Sequence, residues 1–366
     1  MRKSYLDNLR WVTVVLVVIY HVLYMYNAEG ILGTLGNITG LSVQYYDAYQ
    51  YLVYPWFMVL LFIVSGISSR CYLEKHTCRE FIRSRTSKLL VPSTLGLLVF
   101  GFIQGYINAS FSNAGALEVP GFVKYLIYCL SGIGVLWYIQ LLWIFSLVLA
   151  LIKTIDKDRF WKVCSKTPFW VILLLCIPVY FAGQILNTPI IVVYRFGLYF
   201  LAFLLGYFIF SHDEVIERLK KYFWILAVIG GGLAIAFTYV YFIREIQNYA
   251  DSPVNRTVLF LLTSYFGSLA MIGGFAKFFD FETGFTKWMS KRSWGLYLFH
   301  YLGISAVALF IAKPGLLPAW GCYLLSAIMG FALSYLLNFI IPKIPVYRWL
   351  VMGISNKKKE SKNVQG

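Results

Sequence analysis

The sequence predicts an all-α membrane protein, a single polytopic bundle of helices that cross a membrane. Hydrophobic residues make up 60% of the 366 residues and charged residues only 13%, and the mean hydropathy is positive, a composition rare in soluble domains of this size. Apolar runs recur almost from end to end, and many reach the roughly 20 residues that a hydrocarbon core of about 30 Å requires. The runs are continuous rather than alternating, which favours helices over a β-barrel.

The apolar runs divide the chain into ten predicted transmembrane helices. We expect them near residues 10–27, 49–69, 89–107, 126–152, 168–184, 190–210, 222–243, 256–276, 293–312 and 318–341. The basic residues support this count, because nearly all of the 32 Lys and Arg fall in the N-terminus, in every second connection and in the C-terminal tail. The exceptions are Lys124, Arg195, Arg244, Arg256 and Lys313.

This charge distribution predicts that both termini are cytoplasmic, since cytoplasmic loops carry an excess of Lys and Arg. Residues 1–345 then form one transmembrane domain, and residues 346–366 form a basic cytoplasmic tail that we expect to be disordered. A cleaved signal peptide is the alternative for the first span, but its apolar core is long and no A-x-A site follows it, so we predict a retained helix.

Composition also argues against several classes of function. The net charge of +16 would fit a nucleic-acid partner, but the basic residues line the predicted cytoplasmic face, where topology and anionic lipid account for them. The six Cys are scattered and include no C-x-x-C motif, so we expect neither a disulfide framework nor a metal site. No Asp or Glu falls in the middle of a predicted span, which disfavours a proton- or sodium-coupled transporter.

The first span, within "DNLRWVTVVLVVIYHVLYMYN", carries polar residues on one face. Arg10 and His21 are eleven residues apart, so on a helix they point within ~20° of each other and lie ~16 Å apart along the axis. Asp7 and Tyr24 extend the same polar stripe by one turn at either end. This spacing puts Arg10 at the cytoplasmic end and His21 near mid-membrane. The alternative is an ordinary arginine at the membrane surface and a packing histidine.

The ninth span carries a second polar stripe. In "SWGLYLFHY", Ser293, Tyr297 and His300 follow i, i+4 and i+7 spacing and share a helix face. Two histidine-bearing stripes at comparable depth predict a cavity between these spans, whereas the alternative is two unrelated packing residues. Imidazole titrates near neutral pH, so such a histidine is suited to take a proton from a hydroxyl that attacks a carbonyl group.

Basic residues cluster at the cytoplasmic end of the third predicted span. Arg83, Arg85 and Lys88, together with Arg10, are suited to bind an anionic, phosphate-bearing donor, because arginine forms forked hydrogen bonds with phosphate and lysine acts as a point charge. The residues alone therefore indicate an anion at the inner mouth and acid–base chemistry deeper in the bundle.

Several of these stretches resemble the acyltransferase 3 family of membrane acyltransferases. The segment "YLDNLRWVTVVLVVIYH" resembles the family's opening motif, in which an Arg is followed by ten residues and a His, and Arg10 and His21 match the essential pair of that motif. The family also tends to carry Arg-x-x-Arg near the third span, where this chain has Arg85-Thr-Ser-Lys88. Three later stretches fit as well: "GVLWYIQLLW", "RFGLYFLAFLLGY" and "SWGLYLFH".

The resemblance implies transfer of an acyl group, such as acetyl or succinyl, from cytoplasmic acyl-CoA to a hydroxyl of a glycan-type or lipid-linked acceptor on the far side of a bacterial plasma membrane. We predict His21 as general base, with an acyl-His intermediate as the main variant, and Tyr297 and His300 as orienting or oxyanion-stabilising groups. Donor phosphates would contact the four basic residues at the inner mouth, without a metal. Some relatives append a soluble hydrolase-like domain. We expect this chain to act as the membrane unit alone or with a separate envelope-biosynthesis partner.

Three further residues are candidates for lining the substrate site. Trp137 and Tyr138 are either site residues or interfacial anchors. Arg195 either extends towards the outer surface or contacts the acceptor or the developing oxyanion. A non-catalytic transporter or flippase for an envelope glycan intermediate is the alternative function, and a scaffold in an envelope-building complex is another. The Arg-x10-His pair and the lack of intramembrane carboxylates favour the enzyme.

Overall fold

The computed structural model describes residues 3–29, 33–112, 118–186, 194–251 and 253–354. Within these residues the chain folds into helices joined by short connections, with no strand, which confirms the predicted all-α bundle. The α-helices, in chain order, are α1 Ser4–Met25, α2 Ala48–Leu73, α3 Cys78–Arg85, α4 Val91–Ser93, α5 Phe102–Ser110, α6 Gly121–Ser131, α7 Trp137–Asp156, α8 Arg159–Cys164, α9 Phe169–Leu174, α10 Cys176–Gln184, α11 Phe196–Phe208, α12 Asp213–Lys221, α13 Phe223–Thr238, α14 Val258–Phe278, α15 Gly284–Val307, α16 Ala319–Ile340 and α17 Pro345–Met352.

The described helices make this a multi-pass membrane protein, but they do not reproduce ten uniform spans. Eight helical segments are long and apolar enough to cross a membrane, and a ninth exists if the bent pair Phe196–Phe208 and Asp213–Lys221 counts as one span. The predicted span at 168–184 is a shorter apolar helix, Phe169–Gln184, and 126–152 divides between Gly121–Ser131 and the helix that ends at Asp156. The first residues of the span predicted at 190–210 lie outside the described residues.

The third predicted span starts earlier than its apolar residues and contains π-helical turns. The helical segment runs from Cys78 to Ser110. It begins with a capping box, in which Thr77 accepts a hydrogen bond from the Glu80 amide and the Glu80 carboxylate accepts one from the Thr77 amide. The π-helical segment Thr86–Leu90 follows α3 directly, and such wide turns are frequent at functional sites.

The centre of the bundle is α2, which is apolar and buried around most of its circumference, as expected of a helix surrounded by others. It packs closely against α11 because two glycines let the backbones meet. A Cβ at Gly66 would lie 2.0 Å from the Phe203 carbonyl oxygen, and one at Gly206 would lie 2.1 Å from the Ile63 carbonyl oxygen. Any larger residue at either position would therefore separate the two helices.

Connections rich in basic residues meet at one end of the bundle, which we call the inner end. Arg70 forms ion pairs with Asp158 at 2.7 Å and Glu74 at 3.2 Å, and its guanidinium stacks 3.7 Å from the Trp161 ring centroid. Partial burial alone would raise the pKa of Asp158, but hydrogen bonds from Lys153 and the charge of Arg70 hold that pKa below its ordinary value. This network ties α2 to the turn between α7 and α8.

The C-terminal helix α17 corrects the predicted tail. Residues 346–352, expected to be disordered, are helical, and Val351 and Met352 are buried against α15. The helix begins at Pro345 and ends at Gly353, whose φ of +67° is in the left-handed region that glycine favours. The carbonyl oxygen of Gly353 accepts a hydrogen bond from the Ser87 hydroxyl. The rest of the predicted tail, 355–366, lies outside the described residues.

Candidate active site

A cavity of about 610 Å³ opens at the inner end of the bundle. Its walls come from α1, α2, the π-helical segment after α3, α7, α15 and the end of α17. The lining residues are Arg10, Val14, Leu61, Val64, Ser65, Ser68, Arg85, Lys88, Leu89, Tyr138, Leu142, Ser290, Ser293, Trp294, Tyr297, Met352, Gly353 and Ile354. The cavity combines three cations with an apolar interior, which is the usual character of a site for an amphiphilic ligand.

Two arginines that line the cavity are held by adjacent serines of α2. Arg10 donates a hydrogen bond of 2.7 Å to Ser68 and forms an ion pair of 3.3 Å with Asp7, one helical turn away. Arg85 donates one of 3.0 Å to Ser69. Among the described residues Arg85 makes no ion pair, and Asp7 offsets the charge of Arg10 only in part. The cavity therefore retains a net positive charge that is suited to an anion.

The structure brings Arg85 and Lys88 together but separates Arg83 from them. Arg85 and Lys88, three residues apart, both face the cavity, whereas Arg83 is exposed and lines a neighbouring groove of about 700 Å³. That groove shares Lys88 and Gly353 with the cavity. The predicted basic cluster thus extends over two adjoining depressions.

Two tyrosines close the deep end of the cavity. The rings of Tyr138 and Tyr297 meet edge to face, with centroids 5.8 Å apart. Tyr138 is fixed by its hydroxyl, which is 2.7 Å from the Ser65 hydroxyl and also donates to the Leu61 carbonyl oxygen at 3.2 Å. Tyr297 donates its hydroxyl proton to the Val135 carbonyl oxygen. Because that single proton is already used, the Tyr297 hydroxyl can only accept further hydrogen bonds.

The two predicted intramembrane histidines contact each other behind this tyrosine pair. The Nε2 atom of His300 lies 3.1 Å from the Nδ1 atom of His21, and the ring centroids are 4.9 Å apart. His300 is fully buried and lies near the middle of the continuous helical segment Gly284–Ala312, so the pair is near mid-height in the bundle. Neither histidine lines the inner cavity. The cavity-lining residue nearest to His300 in sequence is Tyr297, one helical turn before it.

Backbone carbonyls assign the protons of this histidine pair. The Nδ1 atom of His300 lies 3.0 Å from the Leu296 carbonyl oxygen and 2.9 Å from that of Tyr297, so Nδ1 carries the proton and Nε2 is an acceptor. The Nδ1 atom of His21 lies between this acceptor and the Val17 carbonyl oxygen at 2.9 Å, and therefore also carries a proton. The remaining nitrogen of His21, Nε2, has no hydrogen-bond partner among the described residues and is the basic atom of the pair.

Aromatic residues surround His21 on the side away from the inner cavity. The rings of Tyr20, Tyr24 and Tyr301 each lie edge-on to the imidazole, with centroids between 5.1 and 5.8 Å away. His21 and Tyr24 are partly exposed, unlike the fully buried His300. The His21 side chain is therefore the less buried member of the histidine pair.

The remaining predicted residues, Arg195 and Trp137, do not line the inner cavity. Arg195 is only 2% exposed and donates hydrogen bonds to the Tyr54 and Tyr199 hydroxyls at 2.7 and 3.4 Å. It does not extend to the outer surface, which was one of the two expectations. Trp137 is half-buried and packs on Tyr199, with centroids 5.6 Å apart. Although Trp137 and Tyr138 are adjacent in sequence, only Tyr138 lines the inner cavity.

Several lining residues were missed from the sequence. Ser65 and Ser68 hold Tyr138 and Arg10, and their three-residue spacing in "SGISSR" was the available signal. Trp294 adjoins the predicted Ser293 and donates a hydrogen bond to the Met352 carbonyl oxygen, which fixes α17 at the cavity mouth. No local pattern indicated that α17 would return to this mouth.

Among the described residues, no group of three or more His, Cys, Asp or Glu side chains is arranged to hold a metal ion, and all six cysteines are free thiols. In comparisons with known proteins, the acyltransferase 3 family model, described as an acyltransferase domain, matches residues 3–339. No curated protein and no solved structure matches the chain.

Proposed function

The chain belongs to the acyltransferase 3 family, and from this premise we propose that it moves a short acyl group from cytoplasmic acyl-CoA to a hydroxyl of a glycan-type or lipid-linked acceptor across a bacterial plasma membrane. The observation that carries the proposal is the alignment, along α1 and α15, of a basic inner cavity with a histidine pair that has one free basic nitrogen. The acetyl and succinyl groups are the preferred acyl groups.

The inner cavity supports acyl-CoA as the donor. Arg10, Arg85 and Lys88 are suited to the diphosphate of this ligand, because cations without full carboxylate neutralisation bind phosphate oxygens through charge-assisted hydrogen bonds. The adjoining groove with Arg83 would accommodate a further phosphate of the nucleotide. The apolar walls beyond the cations, including Val14 and Leu142, suit a pantetheine arm that extends towards Tyr138 and Tyr297.

In the proposed reaction, His21 Nε2 takes the proton of the acceptor hydroxyl as the hydroxyl oxygen attacks the thioester carbonyl carbon. A carbon–oxygen bond forms, and the tetrahedral intermediate then breaks its carbon–sulfur bond. The proton on His21 passes to the departing thiolate, which leaves as free CoA thiol. Atoms and charge therefore balance without a metal or redox partner. In the variant with an acyl-His intermediate, His21 Nε2 attacks the thioester carbonyl carbon and the carbon–sulfur bond breaks, which releases the CoA thiolate. The acceptor hydroxyl then attacks the acyl carbon, the carbon–nitrogen bond breaks, and the hydroxyl proton passes to the thiolate.

His300 has a positioning role in this proposal. Its Nε2 accepts the hydrogen bond from His21 Nδ1, which keeps the basic Nε2 of His21 unprotonated and oriented. When His21 gains a proton, the same contact becomes a charge-assisted hydrogen bond and stabilises the imidazolium. The Tyr297 hydroxyl donates its proton to the Val135 carbonyl oxygen, so in this conformation it is not available to stabilise an oxyanion. Tyr297 therefore contributes through its ring, which closes the deep end of the cavity together with Tyr138.

The tyrosine pair also bears on the size of the acyl group. Both tyrosines line the cavity and neither histidine does, and Tyr297 is one turn before His300, so we expect the thioester to pass the tyrosine pair on its way to His21. Tyr138 is tied to α2 by Ser65 and Leu61, which opposes a large displacement. A narrow passage of this kind favours acetyl or succinyl over long acyl chains.

The proposal is tested with purified protein by following release of CoA thiol from acetyl-CoA in the presence of hydroxyl acceptors. We expect His21→Ala to lower the rate by roughly 10²- to 10⁴-fold, the usual contribution of a positioned general base. His212→Ala, which alters a histidine of an inner connection that lines neither the cavity nor the adjoining groove, is the matched control. Full activity in His21→Ala would refute the assignment, and movement of a labelled acceptor without its acylation would favour a transporter.

A further inference from the structure

We propose that Arg195 is the anchor of an acceptor site that selects hydroxyl compounds with an anionic group, a carboxylate or a phosphate. This inference rests on the proposed function and names the chemical class of its acceptor. The site is defined by Arg195, Tyr54, Tyr199, Trp137 and Tyr194, none of which lines the inner cavity.

The charge of Arg195 is buried without a protein counterion. Among the described residues it forms no ion pair, and its Nε atom has no hydrogen-bond partner. The sequence contains no Asp or Glu from residue 159 to residue 212, so its own segment offers none. Burial of an unpaired guanidinium costs several kcal/mol. An anion bound at this point would offset that cost.

The contrast with Arg70 shows what a structural arginine looks like in this protein. Arg70 is also buried, at 7% exposed, but it pairs with the two carboxylates of Glu74 and Asp158 and stacks on Trp161. Arg195 instead contacts neutral partners, the Tyr54 and Tyr199 hydroxyls and the faces of Tyr54 and Phe260. Its guanidinium is therefore held in place while its charge remains unneutralised.

The backbone next to Arg195 adds hydrogen-bond donors for the same anion. Arg195 is the N-cap residue of α11, a helix of 13 residues. The first amides of a helix have no partner within the helix, and its positive dipole end favours a negative charge. The buried guanidinium and the helix end therefore favour the same type of ligand.

Aromatic residues beside the arginine suit a sugar ring. Trp137 and Tyr194 are half-buried, with ring centroids 6.2 Å apart, and Trp137 also packs on Tyr199. Partly exposed aromatic faces next to a charged hydrogen-bond donor bind amphipathic ligands, whose apolar face stacks on the rings while polar groups bond at the edge. This arrangement favours an anionic sugar over an anionic alkyl compound.

Two aromatic rings connect this site to the chemistry. Tyr54 binds Arg195 and stacks on Tyr20, with centroids 6.0 Å apart. Tyr20 lies 5.1 Å from the ring of His21. An acceptor whose anionic group binds Arg195 would therefore extend one of its hydroxyls towards His21, and the donor would approach from the inner side.

The test compares three acceptors, glucose, glucuronic acid and glucose 1-phosphate, in wild type and Arg195→Gln. Glutamine retains hydrogen bonding to the tyrosines but removes the charge. We expect KM for the anionic acceptors to rise at least tenfold in Arg195→Gln, while KM for glucose and for acetyl-CoA stays within twofold. Arg244→Gln, which removes an exposed charge from the same side of the protein, is the control. Equal loss for glucose and the anionic acceptors would overturn the proposal.

A binding measurement separates this inference from the proposed function. Thermal stabilisation by glucuronate or by inorganic phosphate is measured in wild type and Arg195→Gln without acyl-CoA. Stabilisation of the wild type that disappears in the variant supports the anion site even if no acyl transfer occurs, and stabilisation by one anion alone decides between carboxylate and phosphate. Equal stabilisation of both proteins, or none of either, overturns the proposal even if acyl transfer to neutral acceptors is observed.

Discussion

Replacement of His300 by Phe tests the orientation of His21, the proposed general base. The substitution removes the acceptor that His21 Nδ1 faces at 3.1 Å, but leaves the Val17 carbonyl oxygen at 2.9 Å, so the tautomer of His21 is preserved. A hydrogen bond contributes about 0.5–1.5 kcal/mol when its donor is neutral and about 1.5–3 kcal/mol when it is charged. Their difference, about 1–1.5 kcal/mol, is gained only as His21 becomes protonated. We therefore expect kcat to fall roughly tenfold.

The assay measures initial rates of CoA thiol release over a range of acetyl-CoA concentrations, so that kcat and KM are obtained separately. We expect KM for acetyl-CoA to stay within twofold, because His300 does not line the donor cavity. His300→Gln should recover most of kcat, since its amide can donate to the backbone and accept from His21. Phe299→Leu is the control for packing, because Phe299 is buried in a separate cluster that includes Met352.

Two results would refute this account of His300. If His300→Phe keeps kcat within twofold of the wild type, the contact does not assist the base. If His300→Gln is as slow as His300→Phe while both keep the melting temperature of the wild type, an acceptor at this position is not what matters. A rise in KM for acetyl-CoA alone would assign His300 to donor binding instead.

Three further predictions concern the inner end. Arg85→Ala should raise KM for acyl-CoA at least tenfold, because the donor loses a charge-assisted hydrogen bond. Arg83→Ala should raise this KM less, since Arg83 lines only the neighbouring groove. Equal increases of KM in the two variants, measured by donor titration, would contradict this difference. Gly353→Ala should lower the melting temperature and raise KM for the donor. The reason is that φ at Gly353 is +67° and that a Cβ there would lie 2.4 Å from the Ser87 carbonyl oxygen. An unchanged melting curve would exclude this strain. The pKa of Asp158 in the folded protein is below its ordinary value. Its ion pairs therefore stabilise the fold fully at pH values above the pKa of the unfolded state, about 3.9. This stabilisation is lost as the pH falls through the lower pKa of the folded state. In melting curves from pH 7 to the most acidic pH tolerated, Asp158→Asn should therefore differ most from wild type at neutral pH, and a constant difference would contradict this linkage.

The contents of the inner cavity were partly predictable because helical geometry is local. The three-residue spacing of Arg85 and Lys88 put them on one face, and the same rule, applied to Arg83 two residues earlier, would have separated it from them. Trp137 and Tyr138 are ~100° apart on their helix, so their contacts with different parts of the bundle also follow from local geometry.

Contacts between distant segments could not be predicted in the same way. His21 and His300 are 279 residues apart, and their similar depth predicts a cavity between α1 and α15 but not that the two imidazole rings contact each other. The basic composition of the tail predicts disorder. Pro345 at the first position of α17 and Gly353 just after its last residue are local signals of a helix, which the composition does not reveal. The bend between α11 and α12 could not be predicted from hydropathy either. Hydropathy detects the length of an apolar segment but not a 105° change of direction within it.

The edge-to-face contact of Tyr138 and Tyr297 also matters for the membrane in which the protein resides. A channel that ran unbroken from one surface to the other would conduct ions and protons and would collapse the electrical potential on which a living membrane depends. The packed faces of the two rings are apolar, and both hydroxyls are already engaged in hydrogen bonds with α2 or with Val135, which disfavours a continuous file of water. The protein can therefore keep one opening on the inner side and a reactive imidazole beyond it while its membrane remains an insulator.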